Sequence, residues 1–112
     1  MKYLMLICDD NPDEPSPDDI VASPDFVVWQ ADMARRGIVH DGQRLRPARY
    51  ARTVRVRDGR VIVTDGPFAE TKEQIGGFEL VECADLDEAI ECAAGHPAAP
   101  WWSVEIRPYL DV

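Results

Sequence analysis

Thr53-Val54-Arg55-Val56-Arg57-Asp58-Gly59-Arg60-Val61-Ile62-Val63-Thr64 is a pair of alternating runs separated by Asp-Gly, the strongest short-range hairpin signal a sequence carries. A two-residue turn at Asp58-Gly59 sets Val56 opposite Val61 and Val54 opposite Val63, and puts Arg55, Arg57, Arg60 and Ile62 on the other side. The valine side is expected to be buried.

Downstream of the hairpin, Phe78 to Cys83 reads as a strand. Asp85 then caps a helix, with Glu88 three positions on completing a capping box and Leu86, Ala89, Ile90 and Ala93 forming the apolar side. Gly95 and Pro97 close that helix, and Trp102 to Arg107 alternates as a final strand. Upstream, Lys2 to Cys8 is apolar on both faces, as in a strand covered on each side. The Asp- and Pro-rich stretch from Asp9 to Pro24 reads as a loop with one short turn after Pro17. Ser23-Pro24 starts a helix running to about Arg36, its stripe built on Phe26, Trp29 and Met33 and ended by Gly37. Ile38 to Leu45 holds at most a short strand, interrupted by the turn signal Asp41-Gly42.

The order strand, helix, hairpin, strand, helix, strand gives an α+β fold with ferredoxin-like wiring, a two-layer sandwich with both helices on one face of the sheet. The other face, expected to be rich in valine and tryptophan, would be bare in a single chain, and an apolar face of that size marks an interface. A homodimer through the sheet face, closing toward a dimeric α+β barrel with a chamber between the layers, is the simplest cover.

At 112 residues the chain has the size of one domain, spanning 1–112. Twenty-one acidic against twelve basic side chains give a net charge of −9, which argues against nucleic acid as a partner, since that binding depends on neutralising phosphates. The opening apolar run is too short for a signal peptide, and no stretch approaches the roughly 20 apolar residues that span a bilayer, so no membrane partner is expected and the cytoplasm is the default. Cys8, Cys83 and Cys92 are odd in number and lack CxxC spacing, so they are read as packed thiols, with no metal site and no cofactor.

Between the hairpin and the next strand lies Asp65-Gly66-Pro67-Phe68-Ala69-Glu70-Thr71-Lys72-Glu73-Gln74-Ile75-Gly76-Gly77. Asp65-Gly66-Pro67 is turn chemistry, Phe68 would anchor the turn, Ala69 to Gln74 can make about one helical turn, and Gly76-Gly77 lets the chain approach another backbone closely. This run resembles the signature of the DGPF group of YCII-related proteins. The likeness extends to Lys2-Tyr3-Leu4-Met5-Leu6-Ile7, to Val54-Arg55 and Asp58-Gly59, to Asp85-Leu86-Asp87-Glu88-Ala89 and to Val104-Glu105-Ile106-Arg107-Pro108. The resemblance implies a ferredoxin-like fold in a dimeric α+β barrel, a bacterial origin, kinship with enzymes acting on small lactones, and association with sigma-factor genes; many members have no established activity. Some relatives carry a histidine on the first helix paired with an aspartate, but Pro24 to Arg36 contains no histidine.

Two functional readings stay open. One is a dimeric protein binding a small anionic metabolite in an inter-layer cavity, with Arg46, Arg49 and Arg52 of the arginine-rich band 44–60 offering guanidinium forks, and Thr71 and Trp102 as further contacts. The other is a cofactor-independent enzyme performing proton-transfer or lyase chemistry on a lactone-like or carboxylate substrate. There Asp65 or Glu70 would be the general base, Lys72 would hold an enolate-like oxygen, and His40 beside Asp41 would shuttle protons. Each of these also has a structural reading as a solvated loop or dimer contact. His96 is assigned to the helix end, where a partly charged ring is favourable. A third reading, an interaction partner in a sigma-factor circuit, follows from the resemblance alone.

Overall fold

The computed structural model describes residues 1–9, 16–66 and 74–110 of the chain. Strand β1 (Lys2–Asp9) occupies the middle of a four-stranded antiparallel sheet. It pairs on one side with β5 (Gln74–Glu82) and on the other with β6 (Ser103–Pro108), while β2 (Val39–Arg44) adds to the outer edge of β5, giving the order β2-β5-β1-β6. Three helices accompany it: α1 (Pro17–Ala22), α2 (Pro24–Arg35) and α3 (Leu86–Ala94). The fold is thus a mixed α+β arrangement with antiparallel sheets. Among the described residues no helix is long and apolar enough to cross a membrane.

Alternation along β1 and β5 assigns the two faces of the sheet. Tyr3 and Val81 are paired across the ladder, as are Met5 and Glu79, and all four are buried. Their apolar members form the main core with Trp29 and Met33 of α2, and Ala89, Cys92 and Ala93 of α3. A second cluster joins Ile7 of β1, Ile20 of α1, Ala98 and Trp102. The helix stripes are narrower than their sequence suggests, since Val27 is 62% exposed and Ile90 is 49% exposed. Small residues in α3 let the helix lie close to the sheet, and the long side chains at its margins stay in water. Cys8, Cys83 and Cys92 are buried free thiols.

The helix ends follow local chemistry. Ser23 Oγ accepts from the Phe26 amide at 3.3 Å, with Pro24 in the first turn. Asp85 Oδ1 accepts from Glu88 N at 2.9 Å, but Glu88 reaches the amide of Ala84 rather than that of Asp85, so the box closes one residue early. The reciprocal box is at α1, between Ser16 and Asp19. Arg36, just past α2, spans to Glu88 and Glu91 of α3 and ties the two helices together.

Three expectations are corrected. The hairpin of β3 (Arg52–Arg57) and β4 (Arg60–Asp65) has the expected register, with Val56 opposite Val61 and Val54 opposite Val63, but forms a separate two-stranded sheet. Its valines are 57 to 68% exposed within the chain. The hairpin is inserted between β2 and β5 and held at its base, where Thr53 Oγ1 donates to the Gly66 carbonyl at 2.8 Å, so it projects from the core instead of covering it. The radius of gyration, 15.7 Å, accordingly exceeds the about 13 Å of a compact chain of this length. Second, the bare face of the main sheet carries Leu4, Leu6, Phe78 and Leu80, all half-buried, in place of valine and tryptophan. Third, Asp41-Gly42 is no turn. It lies inside β2, and the irregularity is a bulge at His40, between the pairs Val39–Val81 and Asp41–Leu80.

Candidate functional site

Pairing register places one acid on the wrong face of the sheet. In β5 the residues sharing the helix-facing side with Val81 include Glu79, whose neighbours across the two ladders are Met5 of β1 and Gly42 of β2. Glu79 is only 8% exposed, and among the described residues it has no hydrogen-bond or ion-pair partner. Gly42 is required by this arrangement: a Cβ built there would meet Glu79 Oε2 at 1.9 Å. The glycine that reads as a turn signal makes room for a buried carboxyl. Farther along, Gly77 packs close to β2 as expected, where a Cβ would meet the Gln43 carbonyl oxygen at 3.0 Å.

Glu79 forms part of the wall of a cavity of about 190 Å³ between the sheet and the helices. Ile7, Gly42, Gly77 and Glu79 contribute from the sheet, Ile20 and Val21 from α1, Phe26 and Gln30 from α2, and His96 and Trp102 from the segment after α3, with Arg44 also on the lining. Mostly apolar walls with a few convergent polar groups are the usual makeup of a small-molecule site. The residues that line this chamber all belong to one chain.

Three polar groups of the cavity are incompletely paired or perturbed. Burial, reinforced by the charge of Asp41, pushes the Glu79 carboxyl up to about 7, because a carboxylate loses hydration in this setting. Burial pulls His96 down to about 4. Its ring is 3% exposed and stacks edge-on against Trp29, with centroids 4.6 Å apart. His96 Nδ1 accepts from the Ala98 amide at 3.0 Å, which assigns the proton of the neutral ring to Nε2. The expected charged ring at the helix end is therefore corrected: His96 is a neutral, buried donor. Trp102 Nε1 is buried, and no described group accepts from it, although an indole N–H in such a position normally has a partner.

The residues singled out in the sequence are distributed differently. Trp102 lines the cavity, while its neighbour Trp101 is 46% exposed. His40, at the bulge in β2, lies 3.2 Å from Glu82 Oε2 and is exposed. Asp65 ends the hairpin, with its side chain 89% exposed and 3.2 Å from Arg52 Nε. The guanidinium groups of Arg46 and Arg49 lie 5.1 and 5.0 Å from the centre of the Tyr50 ring. Arg44 pairs with Asp18 of α1. Pro67, Phe68, Glu70, Thr71, Lys72 and Glu73 lie outside the described residues. Glu79, Gly42 and Gln30 escaped the sequence reading. The available signal was an acid in phase with Val81 and Cys83 in an alternating strand.

The two perturbed groups oppose each other in the pH dependence of stability. From about pH 4.5 to 7 the folded protein holds the Glu79 proton that the unfolded chain has released, so stability falls as pH rises. From about pH 4 to 6.5 the unfolded chain binds a proton at His96 that the folded one refuses, so stability rises. Glu79→Gln removes only the first effect. Its stability relative to the unaltered protein is expected to grow by on the order of 3 kcal/mol between pH 4 and 8. Urea denaturation of both proteins across that range checks this; parallel curves would refute the burial of an uncompensated carboxyl.

The sequence profile of the YCII-related domain matches residues 1–112. An uncharacterized protein of Rhizobium meliloti (strain 1021) is 49% identical over 88 residues, which cover 75% of this chain and 69% of that protein. With the profile matched from end to end and close identity to this relative, the chain belongs to the YCII-related domain family.

Proposed function

We propose that the protein binds a small organic acid in the cavity between the sheet and the helices, with the apolar part of the ligand against Ile7, Ile20 and Phe26 and its oxygens toward His96 and Arg44. The observation that carries this reading is the His96 imidazole, buried in the cavity lining with its Nδ1 occupied by the Ala98 amide, so that Nε2–H is the donor it has left for a ligand. Arg44 adds a cation to the same lining, and Trp102 contributes to its walls. Below pH 7 Glu79 also carries a proton, so the polar lining is then donor-rich, which suits an acceptor-only carboxylate.

This fixes the sign of the pH dependence of binding. Once Glu79 ionises, its charge repels an anion, and affinity for a carboxylate is expected to fall as pH rises through 7. Thermal-shift measurements with 2-oxobutyrate and benzoate are expected to give a rise of roughly 10 °C at about 100 times Kd, larger at pH 6 than at pH 8. His96→Phe should diminish the shift, and Glu79→Gln should retain it while removing its pH dependence. No shift with either acid at pH 6 would sink the reading.

We further read the strand order β2-β5-β1-β6 as ferredoxin-like wiring with the hairpin inserted, and the run from Asp65 to Gly77 as membership of the DGPF group. A homodimer through Leu4, Leu6, Phe78 and Leu80 is supported by the contiguity of these four apolar side chains across β1 and β5. Sedimentation velocity at micromolar concentration should show dimers, and Leu6→Asp with Leu80→Asp should give folded monomers. Monomers of the unaltered protein would remove the dimer while leaving the cavity untouched. Three buried free thiols fit a reducing compartment, for which we propose the cytoplasm.

A further inference from the structure

We propose that Glu79 is a catalytic residue that removes and returns a proton at a carbon next to a carbonyl group of the bound acid, with His96 Nε2–H holding the oxygen on which charge develops. The substrate class is a small oxo acid. The proposal rests on the binding reading above and adds a reaction to it.

Geometry supplies the first argument. The carboxyl of Glu79 lies beside Gly42 of β2, which leaves it room, Met5 of β1 is its neighbour across the ladder, and Glu79 lines the cavity with no ion-pair partner among the described residues. A group carried on a sheet strand is placed more precisely than one on a loop, which suits a reaction that depends on position. Opposite chemistry shares the same cavity: the neutral His96 imidazole, with Nδ1 occupied by the Ala98 amide, has its Nε2–H to donate. Donors aimed at a developing oxyanion inside an apolar chamber stabilise it far more than water does.

Acid and base strength agree with those roles. Environments that push titratable groups apart mark an acid–base pair of functions. Here the carboxyl stands at about 7 and the imidazole at about 4, so near neutrality Glu79 can take or give a proton while His96 can only donate a hydrogen bond. The charged and titratable groups around Glu79 are Asp41 of β2, which adds to the rise, Arg44 of β2, paired with Asp18 of α1, and His96 itself. From β1 it faces Met5, and α2 presents the uncharged Gln30 to the same cavity.

The step balances without a cofactor. A Glu79 carboxylate oxygen takes the proton as the C–H bond breaks, the electron pair forms a carbon–carbon double bond, and the carbonyl π pair moves onto the oxygen held by His96 Nε2–H. When the proton on Glu79 is replaced by one from solvent before return to the same carbon, the result is exchange with solvent. Return to another carbon of a conjugated substrate gives isomerisation.

Proton NMR in D2O, following deuterium entry at C3 of 2-oxobutyrate and of 4-oxopentanoate, tests it. Exchange at least about 10²-fold faster than in buffer is expected for one of these acids, with kcat/KM rising to a plateau above pH 7. Glu79→Gln should abolish the acceleration while the thermal shift with the same acid persists. Glu79→Asp, which keeps the acid but withdraws it by one methylene, should lose most of the rate without losing its pH dependence. Bound acids that exchange no faster than in buffer, or an unaltered rate in Glu79→Gln, would overturn the proposal and spare the binding reading. Failure of both acids to shift the melting temperature would overturn both.

Discussion

The register of β5 between β1 and β2 is the constraint on which the site depends. Because side chains alternate along a strand, one fixed pairing places Val81, Glu79 and Gly77 on the helix-facing side and Phe78 and Leu80 on the other. A slip by one residue would exchange the two sets. The buried face resists such a slip, since Tyr3, Met5 and Val81 interlock there with Trp29 and Met33. Packing therefore holds a carboxyl in a place where hydration cannot follow it.

A buried acid without a partner is a structural liability, and the chain accommodates it at the expense of regularity. Gly42 weakens the edge strand β2, because glycine in a strand interior contributes no packing, and the bulge at His40 sits two residues away. Gly42 lines the cavity, as do the neutral His96 and Trp102, whose buried indole N–H has no acceptor among the described residues. Local rules that fail together in one place characterise sites kept for chemistry.

Much of the frame was legible from pattern. Ser23-Pro24, Asp85 and the Asp58-Gly59 turn act within a few residues of themselves, so their chemistry survives tertiary context, and the expected elements form. What failed was anything decided by distant partners. The hairpin valines look like core because they alternate, yet burial depends on where the hairpin points. Asp41-Gly42 looks like a turn because its neighbour across the ladder, Glu79, is 37 positions away in sequence. His96 reads as a helix-end cation until Trp29 and Phe26 are packed on it. The candidates drawn from charge, His40, Asp65 and Arg52, are exposed and paired locally, while the cavity assembles around an acid hidden in an apolar strand.

The state of Glu79 is the point on which the site, the binding reading and the proton-transfer proposal converge. Carbon-13 NMR of the glutamate side-chain carboxyls, with the Glu79 resonance identified by its absence from Glu79→Gln, follows that state directly through a pH titration. A midpoint near 7 is predicted. A midpoint at the ordinary glutamate value of about 4.5 would mean that the carboxyl is hydrated or paired, and would contradict the account.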